Sequence, residues 1–407
     1  MNTPKPTGLR RRLTLTLLVF YGIGTILGAG IYVLIGQVAG TAGMLAPLAF
    51  LLASLLAGLS AFSYAELSTR FPKSAGEAVY VKQAFNSDTF AKIVGFMIVG
   101  AGTASTATLM NGLTGYLQEI FNFNHSLVII VMVILLSLIV IWGIAQSVFV
   151  AAVMTVLEIA GLLIILWVAR DSWGLLPDRI GELTTISDFS AMSAILLGAF
   201  IAFYAFIGFE DMVNVAEEVK DPLKNLPRGI IIALVVTTIL YVLIATASVL
   251  SIDPQVLAAS KAPLATIYQM KTGQAPTFIT LISIFSIMNG ALVQIIMASR
   301  ILYGMSNNNW LPKLFSAVNP VTATPINSII AIAIVILALA LFLPLLSLAK
   351  LTSYITLSIF IVINLALWKI KRRDPVSPSI NVPLWVPITG FIFSSMFLGY
   401  QIFDSLH

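Results

Sequence analysis

The composition of this chain predicts a membrane protein. It has 407 residues, of which 59% are hydrophobic and 10% charged, and its mean hydropathy is +1.00. Because soluble domains carry about a quarter charged residues, an ordinary soluble fold is excluded. The chain has no cysteine, which excludes disulfides and cysteine-based metal sites, and its net charge of +5 comes from basic residues scattered between apolar runs rather than from a nucleic-acid-binding patch.

Eleven apolar runs are each long enough to cross a bilayer as a helix, which takes about 18–25 residues. They predict an all-α polytopic membrane protein that forms a single integral membrane domain, residues 1–407, with about eleven transmembrane helices. The first run is too long and too rich in glycine for a signal peptide. The runs lie at 14–38, 43–65, 90–117, 126–143, 148–169, 190–216, 229–251, 276–302, 326–343, 350–368 and 384–403.

The basic residues predict how the chain is oriented in the membrane. If the N-terminus is cytoplasmic, 17 of the 22 Lys and Arg residues fall in cytoplasmic segments and five fall outside. The positive-inside rule expects this asymmetry, and losing or gaining one helix midway would scramble it. We therefore expect a multi-pass protein of the cell (inner or plasma) membrane, with a cytoplasmic N-terminus and an external C-terminus.

The first run contains an unusual concentration of glycine. Residues 21–36 read YGIGTILGAGIYVLIG, in which five of the sixteen residues are glycine. Each interior glycine costs a helix roughly 1 kcal/mol relative to alanine. Because unwound backbone is tolerated in a bilayer only where it faces protein or a cavity, the segment predicts a helix broken at mid-depth. The alternative is close helix packing, since small residues let backbones approach.

The sixth run has a similar interruption. Its centre reads FIAFYAFIGFEDMVNVAEEV, with Gly208 and Glu210 inside an apolar stretch. Runs one and six open two five-helix sets, 14–169 and 190–368, which leave 384–403 as an extra C-terminal helix. Interrupted helices at corresponding positions of two halves indicate an inverted-repeat transporter with a midplane site. Half-helix N-termini suit an anionic group and freed carbonyls suit an ammonium group, so a zwitterion fits both.

Four stretches resemble signatures of the amino acid–polyamine–organocation (APC) superfamily of permeases, in order and over nearly the whole chain. They are GTILGAGIY in the first run, YAELSTRFPKSAGEAVYVKQAF at 64–85, FIGFEDMVNVAEEVKDPLKNLPRGI at 206–230 and SRILYGMSNNNWLP at 299–312. The resemblance implies a 5+5 inverted-repeat core with discontinuous helices 1 and 6, and alternating access for amino acids or related amines. Many members have twelve helices and here we find eleven, but the missing helix lies outside the ten-helix core.

The resemblance also implies a substrate site built largely from backbone groups. N–H groups would receive the substrate carboxylate, and carbonyl groups would receive its amino group. The aromatic rings beside the break are expected to close over the ligand, with ordinary packing as the alternative. The residues concerned are Gly28, Ala29 and Gly30 for the carboxylate, Ile26, Tyr204 and Ile207 for the amino group, and Tyr204 and Phe206 for the rings.

Glu158 is the one ionisable residue deep within the fifth run. A charge at bilayer depth costs about 2.5–3.5 kcal/mol on insertion scales, so we expect this carboxyl to take up a proton in one facing state and lose it in the other. The resemblance supports the proton as coupling ion over sodium, with no cofactor and no metal site. The alternatives are a protonated Glu158 that only hydrogen-bonds a neighbouring helix, or one that ligates a cation.

Three further side chains are candidates, each with a structural alternative. Glu210, directly after the break, gates the pathway or hydrogen-bonds the exposed backbone. Thr106 in the third run lines the pocket or bonds back to its own preceding turn. Gln294 in the eighth run contacts substrate, as the resemblance implies, or joins helices; with Ser286 and Asn289 it roughly shares one helix face.

These features together predict a secondary transporter for amino acids that works by proton-coupled alternating access. Only Glu158 and Glu210 are charged near the expected pocket, which favours neutral substrates. In the cytoplasmic loop, Arg70 and Glu77 are expected to form inner-gate ion pairs or to anchor the topology. The expected partners are an amino acid substrate and the lipid bilayer, not nucleic acid, and the sequence gives no oligomeric state.

Other functional classes fit less well. An amino acid or amine exchanger without net proton coupling is the nearest alternative. An intramembrane enzyme is disfavoured, because no HExxH, phosphate-loop or GxSxG motif occurs and both histidines lie near predicted helix ends. A channel would need rings of charge or repeated filter loops, and neither is present. A sensor that only binds amino acids stays open on sequence alone.

Overall fold

Helices make up the regular structure of this protein. A computed structural model describes residues 11, 13–73, 76–118, 123–142, 144–319, 322 and 324–406, and within these residues the only β-type contact is an isolated bridge between Leu13 and Val219. In chain order the helices are α1 (Leu15–Ala42), α2 (Ala46–Arg70), α3 (Gly76–Phe85), α4 (Asp88–Gln118), α5 (His125–Trp142), α6 (Ile144–Val168), α7 (Leu176–Thr184), α8 (Phe189–Phe203), α9 (Pro222–Ser251), α10 (Pro254–Ala259), α11 (Pro263–Thr272), α12 (Thr277–Asn307), α13 (Ile326–Phe342), α14 (Leu345–Arg373) and α15 (Trp385–Leu406).

Ten of the eleven predicted apolar runs coincide with one helix each, and the sixth run coincides with α8 and the 3₁₀ segments that follow it. The four remaining helices, α3, α7, α10 and α11, lie in the loops. Among the described residues, nine segments are long and apolar enough to span a membrane, and the first of them, Leu15–Arg70, contains both α1 and α2. The helix α13 is apolar but shorter, at 17 residues. The structure confirms an all-α polytopic membrane protein, while the count of eleven crossings and the orientation of the termini stay predictions.

Helices of the first predicted set pack on their counterparts in the second set. α1 packs on α8, α2 on α9, α4 on α12 and α5 on α13. These contacts pair runs one to four with runs six to nine, an arrangement that two inverted repeats would produce. α1 also contacts α6, α9 and α12, so it lies at the centre of the bundle. The division into two five-helix repeats remains a prediction.

Local sequence accounts for several helix ends. α1 begins after Thr14, whose hydroxyl accepts a hydrogen bond from the Leu17 amide at 3.4 Å, and it ends at Gly43, where φ is 58°. α8 begins after Asp188, whose carboxylate accepts from the Ala191 amide at 2.8 Å. Oxygen-bearing residues at the start and a glycine with a positive φ at the end satisfy backbone groups that a helix terminus leaves free.

The break predicted in the first helix is not seen. α1 continues as one helix over Leu15–Ala42, through the glycine-rich stretch. The glycines instead allow close packing. A Cβ atom at Gly28 would lie 2.6 Å from the carbonyl oxygen of Ser286 in α12, and one at Gly30 would lie 2.0 Å from Cα of Ala205. The packing alternative therefore describes α1, because the absent side chains let two neighbouring backbones approach it.

The break in the sixth helix is present. α8 ends at Phe203, a 3₁₀ turn covers Tyr204–Phe206, and the chain continues as a 3₁₀ helix over Glu210–Glu218. Between the two 3₁₀ elements, Ile207 is extended and Gly208 has a φ of +131°. A positive φ of this kind is accessible to glycine and strained for other residues. The presence of Gly208 in the sequence therefore predicts the interruption.

Candidate functional site

The interruption of the sixth helix lies directly against α1. A Cβ atom at Gly208 would lie 2.8 Å from Cγ2 and 2.9 Å from the carbonyl carbon of Thr25, so both the backbone angle and the space require glycine. Tyr241 of α9 joins the two elements, because its hydroxyl lies 2.7 Å from the carbonyl oxygen of Ile26 and 2.9 Å from that of Ala205. The single hydroxyl proton is shared between these two carbonyls.

Several of the backbone groups assigned to the substrate are engaged in this conformation. Gly28 and Gly30 lie within the continuous helix α1, and the carbonyl of Tyr204 accepts the Ile207 amide at 3.2 Å. The Ile26 carbonyl already receives the Tyr241 hydroxyl, which an incoming ammonium group would have to displace. The side chain of Ala29 lies outside the described residues. The role of these backbone groups in binding substrate stays a prediction.

The two aromatic rings beside the break are packed rather than exposed. The Tyr204 hydroxyl donates to the carbonyl oxygen of Ser105 in α4 at 3.0 Å, and both rings are fully buried. Phe206 lies edge-on to Tyr241, with ring centroids 5.1 Å apart. The packing alternative therefore describes Tyr204 and Phe206 in this conformation, and closure over a ligand stays a prediction.

Glu158 is completely buried where α1, α6 and α12 meet. Its Oε1 accepts a hydrogen bond from Nδ2 of Asn289 at 2.8 Å, and its main-chain carbonyl accepts the Tyr32 hydroxyl of α1 at 2.8 Å. Its Oε2 has no hydrogen-bond partner among the described residues. A buried carboxyl with one free oxygen can hold a proton there without breaking its other hydrogen bond.

A second polar centre surrounds a small cavity at the break, which we call the acidic cavity. It is lined by Ile207, Glu210 and Asp211 of the sixth run and by residues of α2, α3, α4, α12 and α14. The cavity encloses about 300 Å³ of empty space, of which only a small part is wide enough for water. That is room for about one water molecule. An amino acid does not fit in this conformation.

Glu210 and Asp211 have different partners at this cavity. Oε2 of Glu210 accepts the Gly208 amide at 2.9 Å, so this carboxylate binds the exposed backbone of the break, as the structural alternative expected, and gating stays a prediction. Oδ2 of Asp211 accepts Nε2 of Gln294 at 2.7 Å. Gln294 therefore does lie at the break, together with Ile207.

Asp211 is a residue that sequence reasoning missed. The expectation that only Glu158 and Glu210 are charged near the pocket is wrong, because Asp211 and Glu77 also line the acidic cavity. The tight 3₁₀ path after the break turns Asp211 inward beside Glu210, and α3 brings in Glu77 from the cytoplasmic loop. The available signal was the adjacent pair of carboxyl residues, 210 and 211, in an otherwise apolar run.

The polar residues of α4 and α12 do not all face one pocket. Thr106 donates to the Gly102 carbonyl at 2.8 Å, which is the bond back to its own helix that the alternative expected. Asn289 donates to Glu158, whereas Gln294 donates to Asp211. Five residues rotate about 140° around an α-helix. The shared face expected for Asn289 and Gln294 is therefore wrong, and α12 contacts two separate carboxyl centres.

Of the two residues expected to form inner-gate ion pairs, Arg70 and Glu77, only Arg70 has an ion pair among the described residues. Arg70 does pair, with Oε1 of Glu66 one helical turn earlier, at 2.8 Å. The same oxygen accepts Nζ of Lys371 from α14 at 2.9 Å. Glu77 instead is buried, and its Oε2 has no hydrogen-bond partner among the described residues. Burial raises the pKa of Glu77 from 4.5 to about 8.

Comparison with known proteins matches nearly the whole chain to one protein family. A family model described as amino acid permease matches residues 12–405. The chain is 29% identical to the methylthioribose transporter of Bacillus subtilis, over 98% of this chain and 89% of the relative. It is 29% identical to the branched-chain amino acid permease BcaP of Bacillus subtilis, over 91% of this chain and 83% of the relative.

Longer relatives from a plant are also similar. The chain is 28% identical to the vacuolar cationic amino acid transporter 4 of Arabidopsis thaliana, over 91% of this chain and 65% of the relative. The chain thus spans slightly less than two thirds of the length of this relative. The matched relatives are described as transporters and permeases, and none of these three as an enzyme.

Proposed function

We propose that this chain, which belongs to the amino acid permease family, is a secondary active transporter of amino acids. It works by proton-coupled alternating access. The observation that carries the proposal is the interruption at 204–209, which lies against the glycine-lined face of α1. One main-chain carbonyl of each element, that of Ile26 and that of Ala205, accepts the hydroxyl of Tyr241. A small change at this point would free backbone groups for the two charged ends of an amino acid.

Proton coupling through Glu158 is supported by the surroundings of its carboxyl. The group is fully buried, one of its oxygens is free among the described residues, and its visible side-chain partner is the neutral amide of Asn289. A buried carboxylate without a cation is costly, so the group is expected to hold a proton in this conformation. The main-chain carbonyl of Glu158 also accepts the Tyr32 hydroxyl of α1, so a movement of α1 would change the exposure of the carboxyl.

For the substrate side chain we propose neutral amino acids. The apolar residues Ile207, Met297, Ile359 and Phe360 line much of the space beside the break. The three carboxyl residues of the acidic cavity favour cationic amino acids as the second candidate. Relatives named for branched-chain and for cationic amino acids both exist. Competition of uptake by leucine and by arginine separates the two.

The test is uptake into proteoliposomes in sodium-free buffer. A labelled amino acid mixture is offered with an imposed inward proton gradient and without one. Gradient-stimulated uptake supports the proposal. Uptake that ignores the gradient but requires amino acid preloaded inside the vesicles would establish the exchanger without net proton coupling instead. Uptake that needs sodium, or no uptake in any format, would overturn proton-coupled transport.

A further inference from the structure

The acidic cavity contains an unusual excess of carboxyl groups. Glu77, Glu210 and Asp211 all line it and are between 1% and 7% exposed. No Lys, Arg or His is among the described residues that line it. Buried charges in proteins are paired or neutralised, and like charges that share a small space do not all ionise. Positive charge must therefore come to these carboxyls from a bound species.

Unpartnered polar atoms are also present on the cavity wall. The Tyr64 hydroxyl of α2, the Thr356 hydroxyl of α14 and Oε2 of Glu77 are buried, and none has a hydrogen-bond partner among the described residues. Buried hydroxyl and carboxyl groups without a partner each carry a desolvation penalty. Three such atoms around a space of one water molecule are the surroundings that a bound water needs.

The size and the chemistry of the cavity limit which positively charged species can bind in it. An ammonium group is about as large as a water molecule, but the carbon chain that carries it, like a guanidinium group, needs more room than this cavity offers. No group of three or more carboxyl or histidine residues among the described residues is arranged to hold a metal ion. A proton, held by carboxyls that a water molecule bridges, satisfies both restrictions.

We propose that Asp211 and Glu77 form a proton-binding site in the acidic cavity, distinct from Glu158 and open to the cytoplasm when the break moves. While the cavity is closed and dry, at least one of the carboxyls holds a proton. When the cavity opens, water solvates the carboxylates, and the proton passes from the carboxyl to water and leaves for the cytoplasm. The binding of the proton stands alone, and only its part in transport rests on the proposed function.

Neighbouring groups fit this assignment. Among the described residues, the titratable side chains that face the pair are Tyr64 of α2, Tyr80 of α3 and Glu210, and none of these three is cationic. Gln294 donates to Oδ2 of Asp211 and fixes its orientation. Glu77 lies in the first turn of α3, in the segment that the charge distribution assigns to the cytoplasm, so it is the cytoplasmic member of the pair.

The first experiment titrates the purified protein by infrared spectroscopy, without any transport. The wild type is compared with Asp211→Asn and Glu77→Gln, and with Glu182→Gln as the control, since Glu182 is an exposed carboxylate paired with Arg179. We expect the band of protonated, buried carboxyl groups to lose intensity in the first two variants and to be unchanged in the control. An unchanged band in both cavity variants would overturn the proposal.

The second experiment measures uptake as a function of internal pH. In Glu77→Gln we expect the internal pH of half-maximal uptake to shift by about one unit or more, a tenfold change in proton affinity, and Glu77→Asp should restore it. A lower rate with an unchanged pH profile would mean a structural role and would overturn the role in transport. If the wild type shows no uptake while the infrared band behaves as expected, the proton site stands and the proposed function fails.

Discussion

The side-chain amide of Asn289 donates to Oε1 of Glu158 across 2.8 Å, while Oε2 of the same carboxyl has no partner in the described part of the chain. This bond ties α12 to α6 beside α1. One oxygen of Glu158 is thereby fixed and the other is left available. The carboxyl can gain or lose a proton on Oε2 without losing the bond that orients it.

Replacing Glu158 by glutamine separates proton binding from packing. The glutamine amide would keep an acceptor for Asn289 but would hold no exchangeable proton, so in Glu158→Gln we expect gradient-driven uptake to fall by at least about tenfold, the factor that corresponds to about 1.4 kcal/mol. Exchange of internal for external amino acid should persist. The measurement is uptake into proteoliposomes with and without a proton gradient. Glu158→Asp is the control, and full gradient stimulation in the glutamine variant would contradict a coupling role.

Gly208 should not tolerate even one methyl group. In Gly208→Ala the new Cβ would lie 2.8–2.9 Å from Thr25 atoms at a φ of +131°. Strain of this kind costs about 1–3 kcal/mol, so we expect a clear drop in the thermal unfolding temperature in detergent. Gly399→Ala is the matched control, because Gly399 lies in α15 with no atom near the Cβ position, and it should be neutral or slightly stabilising. Equal melting of the two variants would refute the argument.

Tyr241 should hold the break against α1 through its hydroxyl. Tyr241→Phe keeps the ring packed on Phe206 but removes the donor shared by the carbonyls of Ile26 and Ala205. Loss of a partner for buried acceptors costs about 1–3 kcal/mol. We expect a lower unfolding temperature together with a changed apparent affinity for substrate, measured by uptake at varied concentration. A variant with both quantities unchanged would show that the hydroxyl is dispensable.

The ion pair between Glu66 and Lys371 should be structurally important. Glu66 is fully buried and also accepts the Val382 amide at 2.7 Å, so it joins α2 to α14 and to the segment before α15. Removing one partner of a buried pair costs about 3–5 kcal/mol, and Arg70 should reduce that cost in Lys371→Met. As control, Lys271→Met removes an exposed pair with Asp171 and should cost about 1 kcal/mol or less. Thermal unfolding compares the two, and a control that melts lower would contradict this.

The free energy of unfolding should depend on pH because of the buried carboxyl of Glu77. Burial raises the pKa of Glu77 from 4.5 to about 8 in the folded protein, so between these values the folded state binds more protons than the unfolded state. Stability is then highest below about pH 4.5 and is lost as the pH rises to about 8. We expect Glu77→Gln to flatten this slope of unfolding temperature against pH, whereas Glu182→Gln should keep it. A slope unaffected by Glu77→Gln would show that other groups cause it.

Much of the fold follows from the sequence, because lipid solvent imposes simple rules. Apolar runs of sufficient length have to form helices that satisfy their own backbone groups, and ten of the eleven predicted runs do coincide with one helix each. The interruption at Gly208 was also predictable, since Gly208 stands beside Glu210, whose carboxylate can bind the exposed amide. The site residues were less predictable. Gln294 does lie beside the break, where it donates to Asp211, but its contact with substrate stays a prediction, and Thr106 bonds to its own helix.

The sequence by itself determined the helical class, the positions of the long helices and the interruption of the sixth, because these depend on hydrophobicity and on one glycine's backbone freedom. Only the tertiary structure decided that the glycines of α1 serve contact rather than unwinding, since that depends on Ser286 and Ala205 lying against them. It alone brought Glu77 to Asp211, from segments more than a hundred residues apart. Contacts between distant segments follow from packing the whole bundle, which no local pattern encodes.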